Sequence, residues 1–415
     1  MAHNAIAAAQ AGRISSSDHG RWLLLALATL TNTLVSAVPT MCMPVLFDQI
    51  ARDLRLNLVQ VGLIWGISAL PGIFTALVAG AVGDRFGPRR VLVAACLLVG
   101  LTGALRGLAN SFVALAAAMF LFGVFAPLIT MNTLKTCGMR FPRAQLGLVS
   151  GVLSMGMALG FLSGSMLSAT VLAPWLGSWR QVLFFYGGIA VFLSAVWLVF
   201  NPFPAGTAPH SSGTGSVRQN LARIIRIRPV WWFGLTMLGI GGCIQGTLGY
   251  LPLYLRGQGW TGASADGVLA AFHTLSMIFV IPIALASDRF GTRRKFLLAA
   301  AAMIALGVGG LTIAQGTWVW LAAGTAGIVR DGFMAVFLTA LIETDGVGTA
   351  YSGTAMGLIM VFTGLGNLIA PPLGNSLANI APALPFGFWS ALTLLAFIGL
   401  LAYPAPARRA EAAAN

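Results

Sequence analysis

Charge is scarce in this chain. Of 415 residues only 8% are Asp, Glu, Lys or Arg, against 58% that are hydrophobic. A water-soluble domain carries roughly 25% charged residues, so a fully aqueous surface is excluded and lipid must be the main solvent. Acid is scarcer than base, 10 Asp and Glu against 24 Lys and Arg. The basic excess does not suit nucleic acid, because it sits in short loops between apolar runs rather than along a groove. Lysine is nearly absent. Lys135 and Lys295 follow no glycine-rich phosphate loop, which excludes an ATP-driven pump. The cysteines Cys42, Cys96, Cys137 and Cys243 lack the paired spacing of a disulfide framework or zinc site. His3, His19, His210 and His273 have no ligand spacing, and neither an HExxH nor a GxSxG pattern occurs. No enzyme chemistry, cofactor or metal is expected.

Long apolar runs are what the chain does have. A helix needs about 20 apolar residues to cross a bilayer. Runs of that length fall near 22–46, 58–80, 91–108, 112–134, 146–172 and 181–202, then near 229–253, 264–286, 296–315, 317–341, 353–374 and 384–404. The expected fold class is an all-α polytopic membrane protein with twelve transmembrane helices in two six-helix halves, 22–202 and 229–404. Residues 1–21 and 405–415 read as cytosolic tails, and the first twenty lack a signal-peptide pattern. With both termini inside, 18 of the 24 basic residues face the cytoplasm. Arg52, Arg55, Arg106, Arg180 and Arg256 fall outside, and Arg330 within a span, which is the positive-inside bias. The central loop 203–228 begins as a Pro/Gly/Ser linker and ends with Val217, Leu221, Ile224 and Ile225 on one helical face amid arginines. It suits either a basic amphipathic helix on the inner leaflet or an ordinary cytosolic loop.

The halves repeat. "GDRFGPRR" at 83–90 returns as "SDRFGTRR" at 287–294. Asp84 and Asp288, like Gly123 and Gly327, are 204 residues apart. Each octapeptide closes the second span of its half. "GAVGDRFGPRR" (80–90) resembles the loop motif of the major facilitator superfamily, Gly-x-x-x-Asp-Arg-x-Gly-x-Arg-Arg/Lys. The second copy matches except for Ala284 at the leading Gly. Glycine at 87 and 291 permits a turn with positive φ. The resemblance implies an inner-gate latch made of Gly80, Asp84, Arg85, Gly87, Arg89 and Arg90 with Asp288, Arg289, Gly291, Arg293 and Arg294. In it Asp84 would face the positive end of a helix in the opposite half, and the arginines would anchor to headgroups.

Substrate candidates follow from the cost of ionisable groups in a span, from about 3 kcal/mol upward. Arg330 and Asp331 stand in the middle of the tenth span. Arg330 suits a carboxylate or other small anion; Asp331 suits orienting Arg330 or carrying a proton. Neighbouring positions point about 100° apart, so the two need not pair. His273, mid-depth in the eighth span, suits proton coupling or substrate contact. Gln245, Tyr250 and Asn132 are further polar candidates, able equally to tie helices together.

Motifs of some superfamily branches are missing. Met119 stands where many proton-driven members have Arg. The fifth span has Gly151, Gly156, Gly160 and Gly164 without the proline of drug antiporters, and the nitrate–nitrite porter signature is absent. The resemblance leans to the cyanate-permease-like anion branch. The expected protein is a monomeric, gradient-driven transporter of a small solute in a bacterial inner membrane. It works by alternating access, with the bilayer, a small-molecule substrate and candidate protons as partners. Efflux by proton antiport and a non-transporting solute sensor are the alternatives.

Overall fold

In the computed structural model, the described residues are 20–142, 145–200, 217–290 and 293–402. They form twelve long helices. The first half holds α1 (Gly20–Leu54), α2 (58–86), α3 (88–108), α4 (Phe112–Gly138), α5 (Leu146–Leu176) and α6 (Trp179–Val199). The second holds α7 (Arg228–Gly257), α8 (Gly262–Phe290), α9 (Arg293–Gly310), α10 (Thr317–Ile342), α11 (Gly348–Leu377) and α12 (Leu384–Ala402). Ten are long and apolar enough to cross a membrane. The other two fall short for visible reasons: α7 is diluted by glycine, and α9 opens on Arg293, Arg294 and Lys295. A short helix, Val217–Ile224, follows the linker. Ile224 is buried, and Arg223 donates to the Tyr351 hydroxyl of α11 at 3.1 Å.

Local chemistry sets the helix ends. Asn57 and Gln60 form a reciprocal capping box at the start of α2, and Ser111 and Ser178 cap α4 and α6. Gly87 takes φ +84° between α2 and α3, and Pro88 opens the next helix, where its missing N–H costs nothing. Two helices widen to a π turn, α1 at Asn32–Ala37 and α5 at Ser168–Leu172. Large apolar side chains such as Phe192, Leu285, Leu306 and Leu394 are exposed on the outside of the bundle, as lipid contact requires.

Small residues let backbones touch. On α5, Gly156, Gly160 and Gly164 lie against Thr29, Thr33 and Val38 of α1. The duplication extends to packing. Gly123 of α4 abuts the Ser68 carbonyl of α2, and Gly327 of α10 abuts the Phe272 carbonyl of α8; Ser68 and Phe272 are again 204 positions apart. The halves meet through α2 with α11, α5 with α8 and α1 with α7.

The loops bearing the octapeptides define a basic end, and the opposite end is called the far end. Three hydrogen bonds join the halves towards the far end: Trp65 Nε1 to Gln245 O (2.8 Å), Asn375 Nδ2 to Leu58 O (2.8 Å) and Thr170 Oγ1 to Asp266 Oδ2 (2.7 Å). At the basic end, Gly147 and Gly151 of α5 and Gly353 of α11 have open space where a β-carbon would stand. The halves are therefore tied together towards the far end.

Candidate functional site

Three helices converge at mid-depth between the halves. Arg330 and Asp331 of α10 pair directly, Nη1 to Oδ1 at 2.8 Å, the long arginine side chain spanning the angular offset between neighbours. The Asp331 backbone N–H donates to Ser276 Oγ of α8 at 3.0 Å. One turn earlier on α8 stands His273, 2% exposed, with no hydrogen-bond partner at Nδ1 or Nε2. Phe161 of α5 reaches across from the first half. Its ring centroid is 5.4 Å from that of His273 and 5.7 Å from Arg330 Cζ. Phe272 meets His273 edge-on at 5.5 Å.

Arg330 and Asp331 keep 22% and 30% side-chain exposure, and Phe161 of the first half lies against Arg330. A guanidinium has five N–H donors. One serves Asp331, and the others have no hydrogen-bond partner among the described residues. A cation with donors to spare, two imidazole nitrogens without partners and an aromatic face thus stand together at mid-depth.

The remaining polar candidates stand elsewhere. Gln245 takes part through its backbone, accepting from Trp65 of the other half. The Tyr250 hydroxyl donates to Pro382 O at 3.0 Å, inside an aromatic cluster with Tyr254, Phe386 and Trp389. Asn132 is buried within the first half, its Nδ2 donating to Leu128 O (2.9 Å) and Ala79 O (3.4 Å), with Gly83 packed on its amide. The structure thus gathers Arg330, Asp331 and His273, and not Tyr250 or Asn132.

At the basic end, Gly80 and Asp84 lie in the α2 helix; the Asp84 side chain and Gly291 fall outside the described residues. Arg85, Arg90 and Arg289 are exposed. Arg89 donates to Phe200 O (3.0 Å) and Trp197 O (3.2 Å), and Arg294 to Leu401 O (2.6 Å). Each therefore satisfies carbonyls at the end of its half's last helix. Arg293 bonds Asp288 (2.6 Å) and Glu343 (2.9 Å), both of its own half.

Sequence reasoning missed Phe161, Ser276, Asp266 and Glu343, and it had counted Arg106 among the outer-side basic residues without foreseeing its burial. Arg106 is wholly buried. It donates to Pro39 O (3.0 Å) and Gly103 O (3.3 Å), and its guanidinium carbon lies 4.2 Å from the Phe122 ring centroid. Carbonyls and a π face take the place of a counter-ion.

A bundle of apolar helices in two like halves, with charged residues at mid-depth, has the architecture of a membrane transporter. The chain belongs to the Major Facilitator Superfamily, whose family model matches residues 22–359. It is 26% identical to the "Probable nitrate/nitrite antiporter NarK1" of Thermus thermophilus, over 92% of this chain and 90% of that one. It is 24% identical to the 3-(3-hydroxy-phenyl)propionate transporter of Escherichia coli, over 83% and 86% of the two chains. In fold it is similar to the crystal structure of a bacterial homologue of the human lysosomal transporter Spinster. There the TM-score is 0.73, with 16% identity over 92% of this chain and 96% of that one. Its relatives are transporters of small solutes, not enzymes.

Proposed function

We propose that the protein is a gradient-driven carrier of a small organic anion that works by alternating access, with the basic end in the cytoplasm. The observation that carries this reading is Arg330, a mid-membrane guanidinium with donors to spare, beside the unpartnered imidazole of His273. Arg330 holds the anionic group, with Asp331 fixing the guanidinium's orientation. His273 offers a further hydrogen bond, and Phe161 presents an apolar face to the organic part. Both named relatives carry small anions in their names, which supports the class. The positive-inside bias supports the orientation. The two octapeptides, placed alike at the basic end of each half, support a gate there.

Uptake into proteoliposomes tests the reading. The wild type accumulates a small carboxylate, with benzoate as the first probe and nitrate as the inorganic comparison. Arg330→Ala and Arg330→Lys lose at least about a hundredfold in uptake, because a bidentate contact to a desolvated anion is replaced by none or by a point charge. Normal rates in both variants, with protein levels unchanged, would remove Arg330 from the site.

A further inference from the structure

Asp266 is a carboxylate in the wrong place for a loop residue. It is the fifth residue of α8, its side chain is 0% exposed, and its helical neighbours Ala265, Val268 and Leu269 are equally buried. Arg256 Nη2, from α7, donates to Oδ2 at 2.8 Å and passes 2.7 Å from Oδ1. Oδ1 accepts no hydrogen bond of its own. The second donor to Oδ2 comes from the other half of the molecule: Thr170 Oγ1, at 2.7 Å. Thr170 sits in the π turn Ser168–Leu172, where α5 departs from regular geometry, a feature frequent at functional positions.

These facts together describe a contact that holds and can let go. A hydroxyl donating to a carboxylate is stronger than one donating to a carbonyl, so the bond draws α5 onto α8. Burial works against it, because a desolvated carboxylate carries a cost that water would relieve. Opening the seam breaks one bond and hydrates two oxygens. Arg256 belongs to the same half as Asp266 and travels with it, so the charge pair survives the movement.

The matching seam is built differently. Gly62 of α2 occupies the place of Asp266, 204 positions earlier. A β-carbon there would lie 2.8 Å from the backbone of Pro371 and Pro372 in α11. At Gly66 it would lie 2.7 Å from Leu368 O. That seam is backbone against backbone, with no ionised group between.

We infer that Thr170 and Asp266 form a releasable latch on the far-end gate, and that the halves part there along the α5/α8 seam while the α2/α11 seam acts as the pivot. This rests on the carrier reading above and adds the residues that set its conformational equilibrium.

Spin-label distances test it. All four native cysteines are buried, so introduced surface cysteines label selectively. One pair, Trp175→Cys with Ala263→Cys, reports the α5/α8 seam; a second, Leu63→Cys with Ile380→Cys, reports the α2/α11 seam. In lipid nanodiscs, Thr170→Val raises the ratio of far-open to far-closed protein about tenfold at the first pair, with little change at the second, and Thr170→Ser restores the wild-type ratio. Asp266→Asn moves the ratio in the same direction where it folds. An unchanged ratio in Thr170→Val, or equal shifts in the Val and Ser variants, overturns the latch. Equal lengthening at both pairs overturns the pivot. The carrier reading fails separately: a wild type that takes up no anion leaves the distance shift standing, and normal uptake with an unmoved ratio removes the latch alone.

Discussion

The two far-end seams occupy equivalent places in a duplicated structure and hold by opposite means. The α2/α11 seam uses absence: Gly62 and Gly66 remove side chains so that backbones touch at Pro371 and Leu368. The α5/α8 seam uses presence, a buried carboxylate that accepts from the facing helix. Duplication preserved the helix positions, as the Gly123–Ser68 and Gly327–Phe272 contacts attest, while the chemistry at matching positions diverged. A close-packed seam resists both separation and intrusion, since interiors tolerate little added volume. A polar seam can exchange its partner for water. Under the carrier reading proposed above, one seam of each kind lets the halves turn about an edge.

The comparison breaks most visibly at Gly62. Gly62→Val places a β-branched side chain where the first carbon alone already meets backbone at 2.8 Å, and backbone cannot swing aside as a flexible side chain can. The far end then fails to close. Overpacking of 1–3 kcal/mol, about a ten- to hundredfold population shift, reduces uptake accordingly, and the Leu63/Ile380 label pair lengthens. Retained uptake with an unchanged distance would mean that α11 tolerates displacement at its two prolines and that the seam is not a pivot.

Much of this was legible beforehand, and the reasons divide cleanly. The twelve helices followed from the length of apolar runs, and the repeat from two octapeptides. Arg330, Asp331 and His273 stood out because a titratable side chain in a span is expensive and therefore rare. What failed was whatever depends on which helices meet. Phe161 is one of 25 phenylalanines, and only the approach of α5 to α8 distinguishes it. Asp266 fell at the third residue of its expected span and resembled a boundary residue; its partner Thr170 is 96 positions away. Tyr250 and Asn132 are polar groups in spans, but each donates its hydrogen bonds within its own half. Arg106 misled for a related reason. A lone arginine at the end of a span gives no sign of its burial until Pro39 of α1 turns a carbonyl towards it.

A smaller effect sharpens the contrast. Trp65 of α2 donates across to Gln245 O of α7 at 2.8 Å, a bond to a neutral acceptor beside the pivot. Interhelical hydrogen bonds in membranes average about 0.6 kcal/mol, about threefold in population. Trp65→Phe keeps a ring against Gly249 and removes the donor, so it shifts the far-open fraction about threefold, less than Thr170→Val does at the charged acceptor. A Trp65→Phe effect larger than that of Thr170→Val would reverse the roles assigned to the two seams.

The smallest effect lies at the basic end, where the halves differ again. In the second half Arg293 bridges Asp288 and Glu343. The position matching Glu343 in the first half is Met139, 204 residues earlier, and there Arg89 binds the carbonyls that end α6 instead. Glu343 is 43% and Asp288 61% exposed, and ion pairs so placed contribute about 0–1 kcal/mol and are screened by salt. Glu343→Gln leaves Arg293 its bond to Asp288 and keeps the shape of the side chain. Uptake therefore changes by about twofold or less at low ionic strength, and the difference fades at about 0.5 M salt as the screening length shortens. A large loss that persists in high salt would show that Glu343 meets the first half when the basic end closes. It would then belong to a gate that the second half supplies alone, because Met139 has no charge with which to answer it.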